Sequence, residues 1–236
     1  MKIVSWNANM AFRKKKSALL EDHDPDILLI QESEHPEHNG TWDEFSDWEW
    51  TGNNPNKGLG VYTRNGYTLD RIEEEVPAQY FLPVRIVEKP DLKLLNVWAM
   101  NNKENPKKRY IGQLWTALQH YDFLDEDCII AGDVNWNVQW DENPKYGLCG
   151  DYMDVISDLE DHGLCSAYHT ISGDKYGDES ESTFYMHRKE DRPFHTDHFF
   201  IPSRLVDSVS NFEVGEHITW SEHSDHMPLT INFDIE

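Results

Sequence analysis

Five short motifs, widely separated in the chain, carry the oxygen and nitrogen groups from which a phosphoester-hydrolysing site can be built. They are Ser5-Trp6-Asn7, Gln31-Glu32, Gly132-Asp133-Val134-Asn135, Thr196-Asp197-His198 and Ser224-Asp225-His226. Such hydrolysis requires neutralised phosphoryl oxygens, an oriented water and a stabilised leaving oxygen. Carboxylate and amide oxygens suit Mg²⁺, and an imidazole can move a proton. The motifs predict metal-dependent chemistry, provided that the fold brings them together.

Two of these motifs follow apolar runs that are typical of strands. Glu32 comes after the run 27–31, and Mg²⁺ usually takes one or two carboxylates, so Glu32 is the first candidate metal ligand. Asp133 and Asn135 are two residues apart in an extended segment, which lets their side chains share one face. Each motif alone is more typical of a cap or a turn. The order of all five favours a site.

Taken in sequence, the motifs resemble those of the endonuclease/exonuclease/phosphatase superfamily. This superfamily includes deoxyribonuclease I-like and exonuclease III-like nucleases, sphingomyelinases and inositol polyphosphate phosphatases. The resemblance covers nearly the whole chain and predicts one catalytic domain over 1–236. It implies an α/β fold, a four-layered sandwich of two mixed, mainly antiparallel sheets packed face to face with helices outside.

The resemblance also implies a role for each motif. Asn7 and Asp225 would complete the metal neighbourhood of Glu32, with Mg²⁺ as the cofactor and Mn²⁺ as a substitute.

Two histidine ligands at His223 and His226 would suit zinc if that segment were helical, but the following Pro228 favours a loop.

The remaining motif residues would carry the catalysis. In the superfamily the acid equivalent to Asp133 orients water, and the amide equivalent to Asn135 holds the water or a phosphoryl oxygen. Asp197 would pair with His226 in an Asp-His dyad that keeps the imidazole cationic and correctly oriented. A calcium loop beginning at Asp133 is rejected, because Val138 occupies the position that requires glycine.

One position departs from the superfamily pattern. A His or Tyr that contacts phosphate commonly follows an Asn-Val pair, whereas here Asn96-Val97 is followed by Trp98. An indole donates one hydrogen bond and cannot exchange a proton. Asn101, Asn102 or Lys103 are candidates for the missing substrate contact, and reduced activity or an altered substrate is the other consequence.

The charge distribution bears on the substrate. The formal net charge of −23 repels polyanions, so local basic groups would have to compensate. Two clusters hold eight of the 21 basic residues: Arg13 to Lys16, and Lys103 with Lys107, Lys108 and Arg109. Each cluster follows a predicted strand and is either a phosphate-binding patch or the solvated start of a helix.

Tryptophans follow several of the predicted loops. Trp136 and Trp140 come after Asn135, and Trp42, Trp48 and Trp50 lie in a region predicted to be loop. These indoles could stack on the bases of an opened nucleic acid. The alternative, which is the commoner fate of tryptophan, is packing in the core.

Composition limits the class of protein. The mean hydropathy of −0.73 and the lack of a long apolar run predict a soluble chain, and no secretory signal is visible. Three scattered cysteines argue against a disulfide framework. A cytoplasmic monomer that does not bind membranes is the simplest expectation.

Strand and helix patterns alternate through the chain. Apolar runs predict strands over 2–6, 27–31, 59–62, 80–87, 92–98, 128–131, 198–201, 208–212 and 228–233. Helical spacing predicts helices over 13–22, 111–121 and 153–159, and the polar stretch 173–182 predicts an exposed loop.

Three functions follow from these observations. The first is a Mg²⁺-dependent phosphodiesterase acting on nucleic acid, most simply a DNase with endonuclease or exonuclease action. The second keeps the chemistry but acts on a small phosphorylated metabolite or lipid headgroup, which the acidic surface tolerates better. The third, motivated by Trp98, is a catalytically impaired protein that binds a phosphate ligand.

Overall fold

The computed structural model describes residues 1–75, 77–125, 127–142 and 147–234. Fourteen strands and five α-helices lie within these residues. The strands are β1 (Lys2–Asn7), β2 (Ile27–Ser33), β3 (Asp47–Asn54), β4 (Lys57–Thr63), β5 (Leu69–Arg71), β6 (Phe81–Ile86), β7 (Lys89–Trp98), β8 (Cys128–Asp133), β9 (Leu164–Ser166), β10 (Phe184–Tyr185), β11 (Pro193–Phe194), β12 (Asp197–Pro202), β13 (Val209–Val214) and β14 (Leu229–Phe233). The helices are α1 (Lys16–His23), α2 (Ile111–Leu118), α3 (Tyr152–Asp161), α4 (Ala167–Ser172) and α5 (His217–Trp220).

Two six-stranded sheets form the centre of the fold. The first has the order β13-β14-β1-β2-β4-β3 and the second β5-β6-β7-β8-β12-β9, while β10 and β11 form a separate hairpin. Only β1 with β2 and β7 with β8 pair in parallel among the described strands, and the other pairs are antiparallel. Both sheets are therefore mixed and mainly antiparallel.

Side-chain alternation along the strands creates three apolar layers. Inward residues of both sheets, such as Ile3, Leu29, Leu94 and Ile129, pack against one another between the sheets. Outward residues of the first sheet pack with α1 and α5, and those of the second sheet pack with α2 and α3. The predicted four-layered α/β sandwich is confirmed.

The predicted strands and helices occur close to their expected positions, with some differences. The predicted helix 13–22 is instead a short 3-10 helix at Phe12–Lys14 followed by α1. The expectation of a loop around Trp48 and Trp50 was wrong, because both residues lie on β3, which pairs with β4 at the edge of the first sheet. Among the described residues, no helix has the length and apolar character needed to cross a membrane.

Candidate active site

Strand alternation directs polar side chains into one end of the inter-sheet layer. On β1, Ile3 faces the opposite sheet, and Asn7 follows it on the same face at the carboxyl end of the strand. On β8, Ile129 faces the first sheet and Asp133 ends the strand on that face. Asp197 begins β12 directly opposite Asp133 in the antiparallel register. The side-chain alternation that directs apolar residues into the inter-sheet core therefore also brings Asn7, Asp133 and Asp197 to one end of it.

Amide groups hold the Asp133 carboxylate in place. Asn7 Nδ2 donates to Asp133 Oδ2 over 2.9 Å across the two sheets. The backbone nitrogen of Asn135 donates to Oδ1 and its Nδ2 to Oδ2, both over 2.8 Å. Asn135 has a φ of 52°, a left-handed turn that bends its side chain back toward the acid. Asn7, Asp133 and Asn135 thus form one hydrogen-bonded unit.

Gly132 allows β8 to approach β7 at this point. Its φ is +140°, and an added Cβ would lie 2.0 Å from the carbonyl oxygen of Val97. Only glycine accommodates both the conformation and the contact.

His226 lies between two buried carboxylates. Its Nδ1 is 2.9 Å from Asp197 Oδ2, and its Nε2 is 3.8 Å from Asp133 Oδ2. Asp197 also accepts hydrogen bonds from Thr183 Oγ1 over 2.8 Å and from Thr196 Oγ1 over 3.1 Å. Bonding to Asp197 fixes the orientation of the imidazole and directs Nε2 toward Asp133.

Hydrogen bonds join the segment before β14 to β1. Ser224 Oγ donates to the carbonyl oxygen of Asn7 over 2.7 Å and accepts from the backbone nitrogen of His226 over 3.1 Å. The indole nitrogen of Trp6 donates to the carbonyl oxygen of His226 over 2.8 Å, and the Phe184 ring packs on the imidazole at 4.6 Å. His226 therefore has a fixed backbone and a covered face.

These surroundings shift the pKa values of both groups. Burial disfavours the imidazolium of His226, but the charges of Asp197 and Asp133 outweigh it and raise its pKa from 6.5 to about 10. Burial is the main cause that raises the pKa of Asp133 to about 7, opposed by the cationic His226. A cationic imidazole beside an acid that titrates near neutrality is suited to proton transfer.

A β-bulge aims Glu32 away from the strand. The register of β2 with β4 shifts between Gln31 and Ser33, and Glu32 between them has a φ of 58°. The Glu32 side chain is 16% exposed, and its Oε2 lies 3.2 Å from the ammonium of Lys57.

Asp225 is coupled to the β1 motif through Asn9. Asn9 Nδ2 donates to Asp225 Oδ1 over 2.5 Å, while the backbone nitrogen of Asn9 donates to Asn7 Oδ1 over 3.0 Å. The ammonium of Lys15, which donates to the carbonyl oxygen of Asn9 over 3.2 Å, is close enough to feel the charges of both Glu32 and Asp225. Burial is the main cause that lowers the pKa of Lys15 to about 8.

Two sets of oxygen and nitrogen donors are candidates to receive a cation. Ligand atoms of Asp133, Asp197 and His226 lie within 4.8 Å of one another. Because the imidazole is already oriented by Asp197, these three groups suit proton transfer better than metal binding. Glu32, Asp225 and Asn7 offer only hard oxygen ligands, two of them partly exposed carboxylates, and that donor set fits Mg²⁺ or Mn²⁺.

The predicted substrate contacts are divided between the surface and the core. Asn101 and Lys103 are exposed and line a surface cavity of about 260 Å³. The Arg109 guanidinium lies 5.8 Å from the Tyr110 ring centroid. Trp98 is only 3% exposed and packs in the inter-sheet core against Tyr80. Its burial does not support a direct substrate contact, because its alternation directs the indole inward.

Trp136 is also part of the core. It is 6% exposed, packs on the Tyr110 ring, and donates from Nε1 to Asp141 Oδ1 over 2.7 Å. Trp140 is half-buried and packs against Trp136 and Phe194. Base stacking by Trp136, which the polar sequence context suggested, is not supported, since both its ring and its donor have partners inside the protein.

The first basic cluster is largely paired within the chain. Arg13 forms an ion pair with the buried Glu34. Lys16 is buried, pairs with Glu44 at 2.5 Å and lies over the Trp42 ring. These internal counter-charges weaken the phosphate-patch alternative for Arg13 and Lys16.

Sequence reasoning missed three residues of this neighbourhood: Asn9, Thr183 and Lys57. Asn9 stands two positions after Asn7, and that spacing was a usable signal. Thr183 and Lys57 lie in polar segments without a motif, and only tertiary contacts connect them to Asp197 and Glu32.

Solved structures share this fold. The chain matches the 3'-5' exonuclease from Neisseria meningitidis with 18% identity, full coverage of both chains and a TM-score of 0.72. It matches an AP endonuclease from Archaeoglobus fulgidus with 15% identity, full coverage of both and a TM-score of 0.74. For the AP endonuclease of Leishmania major the identity is 16%, the coverage 98% of this chain and 86% of that one, and the TM-score 0.72. No protein-family model and no curated protein matches the sequence. At these identities the likeness shows the fold.

Proposed function

We propose that the protein is a divalent-metal-dependent phosphodiesterase that hydrolyses nucleic-acid phosphodiester bonds, most simply those of DNA. The observation that carries the proposal is the contact of His226 with both Asp197 and Asp133, at the end of the sandwich where Asn7 and Asn135 hold Asp133. The same fold occurs in a Neisseria 3' phosphatase bound to a product DNA hairpin, with 18% identity, full coverage of both chains and a TM-score of 0.71.

Asp133 would accept a proton from the attacking water. Its raised pKa, about 7, makes it a better base near neutrality than an ordinary carboxylate. Asn135 and Asn7 orient the acid and offer amide groups to the water or a phosphoryl oxygen. His226, kept cationic by Asp197, would donate a hydrogen bond to a phosphoryl oxygen.

Glu32, Asp225 and Asn7 would hold Mg²⁺, with Mn²⁺ as a substitute. When bound, the ion supplies positive charge against the phosphoryl and leaving oxygens. Two carboxylates with an amide are consistent with the usual ligands of Mg²⁺, which keeps several waters.

Positive charge beside the site supports a nucleic-acid substrate despite the net charge of −23. The hairpin of β10 and β11 carries three exposed basic residues at its tip, Arg188, Lys189 and Arg192, which exceed by one charge the exposed Glu190 and Asp191 between them. Phe184 of this hairpin forms a β-bridge with His226. Basic groups at this position can bind the phosphates that flank a scissile bond, and Asn101, Lys103 and Arg109 are further proposed contacts.

The test is cleavage of plasmid, single-stranded DNA and RNA by the purified protein. We expect cutting with Mg²⁺ or Mn²⁺, loss of cutting with a chelator, and a loss of at least about 100-fold in Glu32→Gln and His226→Ala. Glu49→Gln is the matched control, because Glu49 is also partly exposed and pairs with a basic residue, Arg71, on another part of the sheet. Intact nucleic acids under all conditions would contradict the proposal.

A second candidate is a phosphatase or phosphodiesterase that acts on a small phosphorylated metabolite or lipid headgroup. The strongly acidic composition favours it, since a small anion experiences less long-range repulsion than a polymer. A phosphate-release panel separates the two: turnover of small phosphoesters without cleavage of nucleic acid would select this candidate.

We further propose that the protein acts as a cytoplasmic monomer. The three cysteines are free, which suits a reducing compartment. Light scattering after size exclusion should give a mass near 27.7 kDa. A stable dimer would contradict the monomer.

A further inference from the structure

Lys57 links the candidate metal ligand to the tryptophan that departs from the superfamily pattern. It begins β4, opposite the bulge at Glu32. Its ammonium is 3.2 Å from Glu32 Oε2 and 4.7 Å from the centroid of the Trp98 ring. The Lys57 side chain is 32% exposed, so a ligand can reach it, whereas Trp98 is buried.

Both partners of Lys57 are next to the Asp133 unit. Trp98 on β7 pairs with Asp133 on the parallel β8, and the backbone nitrogen of Ala99 donates to the carbonyl oxygen of Asp133 over 2.8 Å. Gln31, which precedes Glu32, pairs with Asn7 on β1. The Lys57 side chain therefore connects Glu32 on β2 of the first sheet with Trp98 on β7 of the second sheet.

A phosphate entering this site meets several carboxylates, so it needs positive charge in addition to that of His226 and the proposed Mg²⁺. Asp133 and Asp197 are buried, and Glu32 and Asp225 are partly exposed. A lysine ammonium has three donors. One donor contacts Glu32, and the Trp98 ring attracts the ammonium through its face, which is not a conventional hydrogen-bond acceptor. Donors remain for an incoming oxygen.

We propose that Lys57 binds a phosphate oxygen of the substrate, and that Trp98 is a positioning residue that holds the ammonium in place. This inference rests on the proposed function and deepens it. It explains how a tryptophan can follow Asn96-Val97: the cation on the indole takes over the phosphate contact, while the indole itself stays in the core.

Steady-state cleavage of DNA with Mg²⁺ measures the contribution of Lys57. We expect Lys57→Met to raise KM about tenfold to a hundredfold, as for the loss of one charge-assisted hydrogen bond, with a smaller change in kcat. Lys57→Arg should restore most of the affinity, because it keeps the charge and stacks on an indole. Lys93→Met is the matched control: Lys93 pairs with Asp125 beside the start of β8, away from Asp133, and its loss should leave KM unchanged.

The salt dependence of DNA binding separates a phosphate contact from a structural role. Binding is measured by fluorescence anisotropy with Mg²⁺ in the His226→Ala background, in which turnover is slowed at least about 100-fold. Removing one phosphate contact should reduce the slope of log affinity against log salt by about one. Lys57→Met should show this reduction and Lys93→Met should not.

Trp98 is tested through its dependence on Lys57. Trp98→Leu should raise KM about twofold to fivefold, the value of an exposed cation–π contact. In the Lys57→Met background the same substitution should leave KM unchanged, because the two residues act as one unit.

A wild-type protein that cleaves no phosphoester would overturn the proposed function, and this inference with it. A wild-type protein that cleaves DNA, with Lys57→Met unchanged in both KM and salt slope, would overturn the role of Lys57 alone. An undiminished effect of Trp98→Leu without Lys57 would overturn the positioning role.

Discussion

Asp197→Asn tests whether the buried acid keeps His226 cationic. The substitution removes a negative charge but preserves the shape that Thr183 and Thr196 contact. The pKa of His226 is raised from 6.5 to about 10, which corresponds to about 5 kcal/mol in favour of the imidazolium, supplied by Asp197 and Asp133 against the opposing effect of burial. Asp197 is the larger contributor, so its removal should bring the pKa of His226 towards neutrality.

The pKa of His226 can be measured by NMR of the labelled imidazole, in parallel with a pH–rate profile. In Asp197→Asn we expect the basic limb of activity to move down from about pH 10 towards neutral pH, and kcat to fall about 10²- to 10⁴-fold. Thr196→Val is the control, because it removes one hydrogen bond to the Asp197 carboxylate and keeps the charge. The pH–rate profile of the control should keep its basic limb well above neutral pH, and its kcat should fall less than about tenfold.

The same substitution predicts a change in stability with pH. The folded-state pKa of His226 lies above its unfolded value, so its stabilising contribution is fully present below pH 6.5 and is lost as pH rises through about 10. The difference in unfolding free energy between wild type and Asp197→Asn should shrink over that window. A His226 pKa that stays near 10 in Asp197→Asn, or unchanged kcat despite a lowered pKa, would refute the reasoning.

Three further predictions concern the fold around the site. Burial, with two neighbouring histidines, holds the pKa of His198 well below 6.5, so urea-measured stability should fall as pH drops below 6.5, and His198→Leu should reduce that dependence. Gln31→Leu removes the 2.7 Å inter-sheet hydrogen bond to the buried Asn96 and should cost about 1–3 kcal/mol in urea unfolding; a loss below about 0.5 kcal/mol would contradict it. Gly132→Ala would place Cβ 2.0 Å from the Val97 carbonyl oxygen and should lower Tm by at least about 10 °C, whereas Gly173→Ala, with open space around it, should lower Tm much less.

The strands that carry the site could be predicted from local pattern. The apolar run before Asp133 and the alternation of Ile3 and Asn7 on β1 depend only on neighbouring residues, and a strand has a fixed period of two. The order of the motifs carries the superfamily resemblance, and that resemblance predicted the sandwich. Strands without such a run, such as β3 and β9, were missed because their pairing partners lie elsewhere in the chain.

The fate of the tryptophans could not be predicted locally. Trp136 sits in a polar sequence context and Trp98 ends an apolar run, but both are buried. A half-exposed and a buried indole have the same local pattern, and only the packing of Tyr80 or Tyr110 against them decides between the two.

The sequence by itself determined which chemical groups are present and which strand ends present them, because residue type and side-chain alternation are local properties. Only the tertiary structure decided how those groups meet. Asn7 donates to Asp133 across 126 positions of the chain, and the bulge at Glu32 places its carboxylate against Lys57. Such contacts depend on inter-strand register and sheet packing, which arise from pairing between distant segments and leave no signature in any one of them.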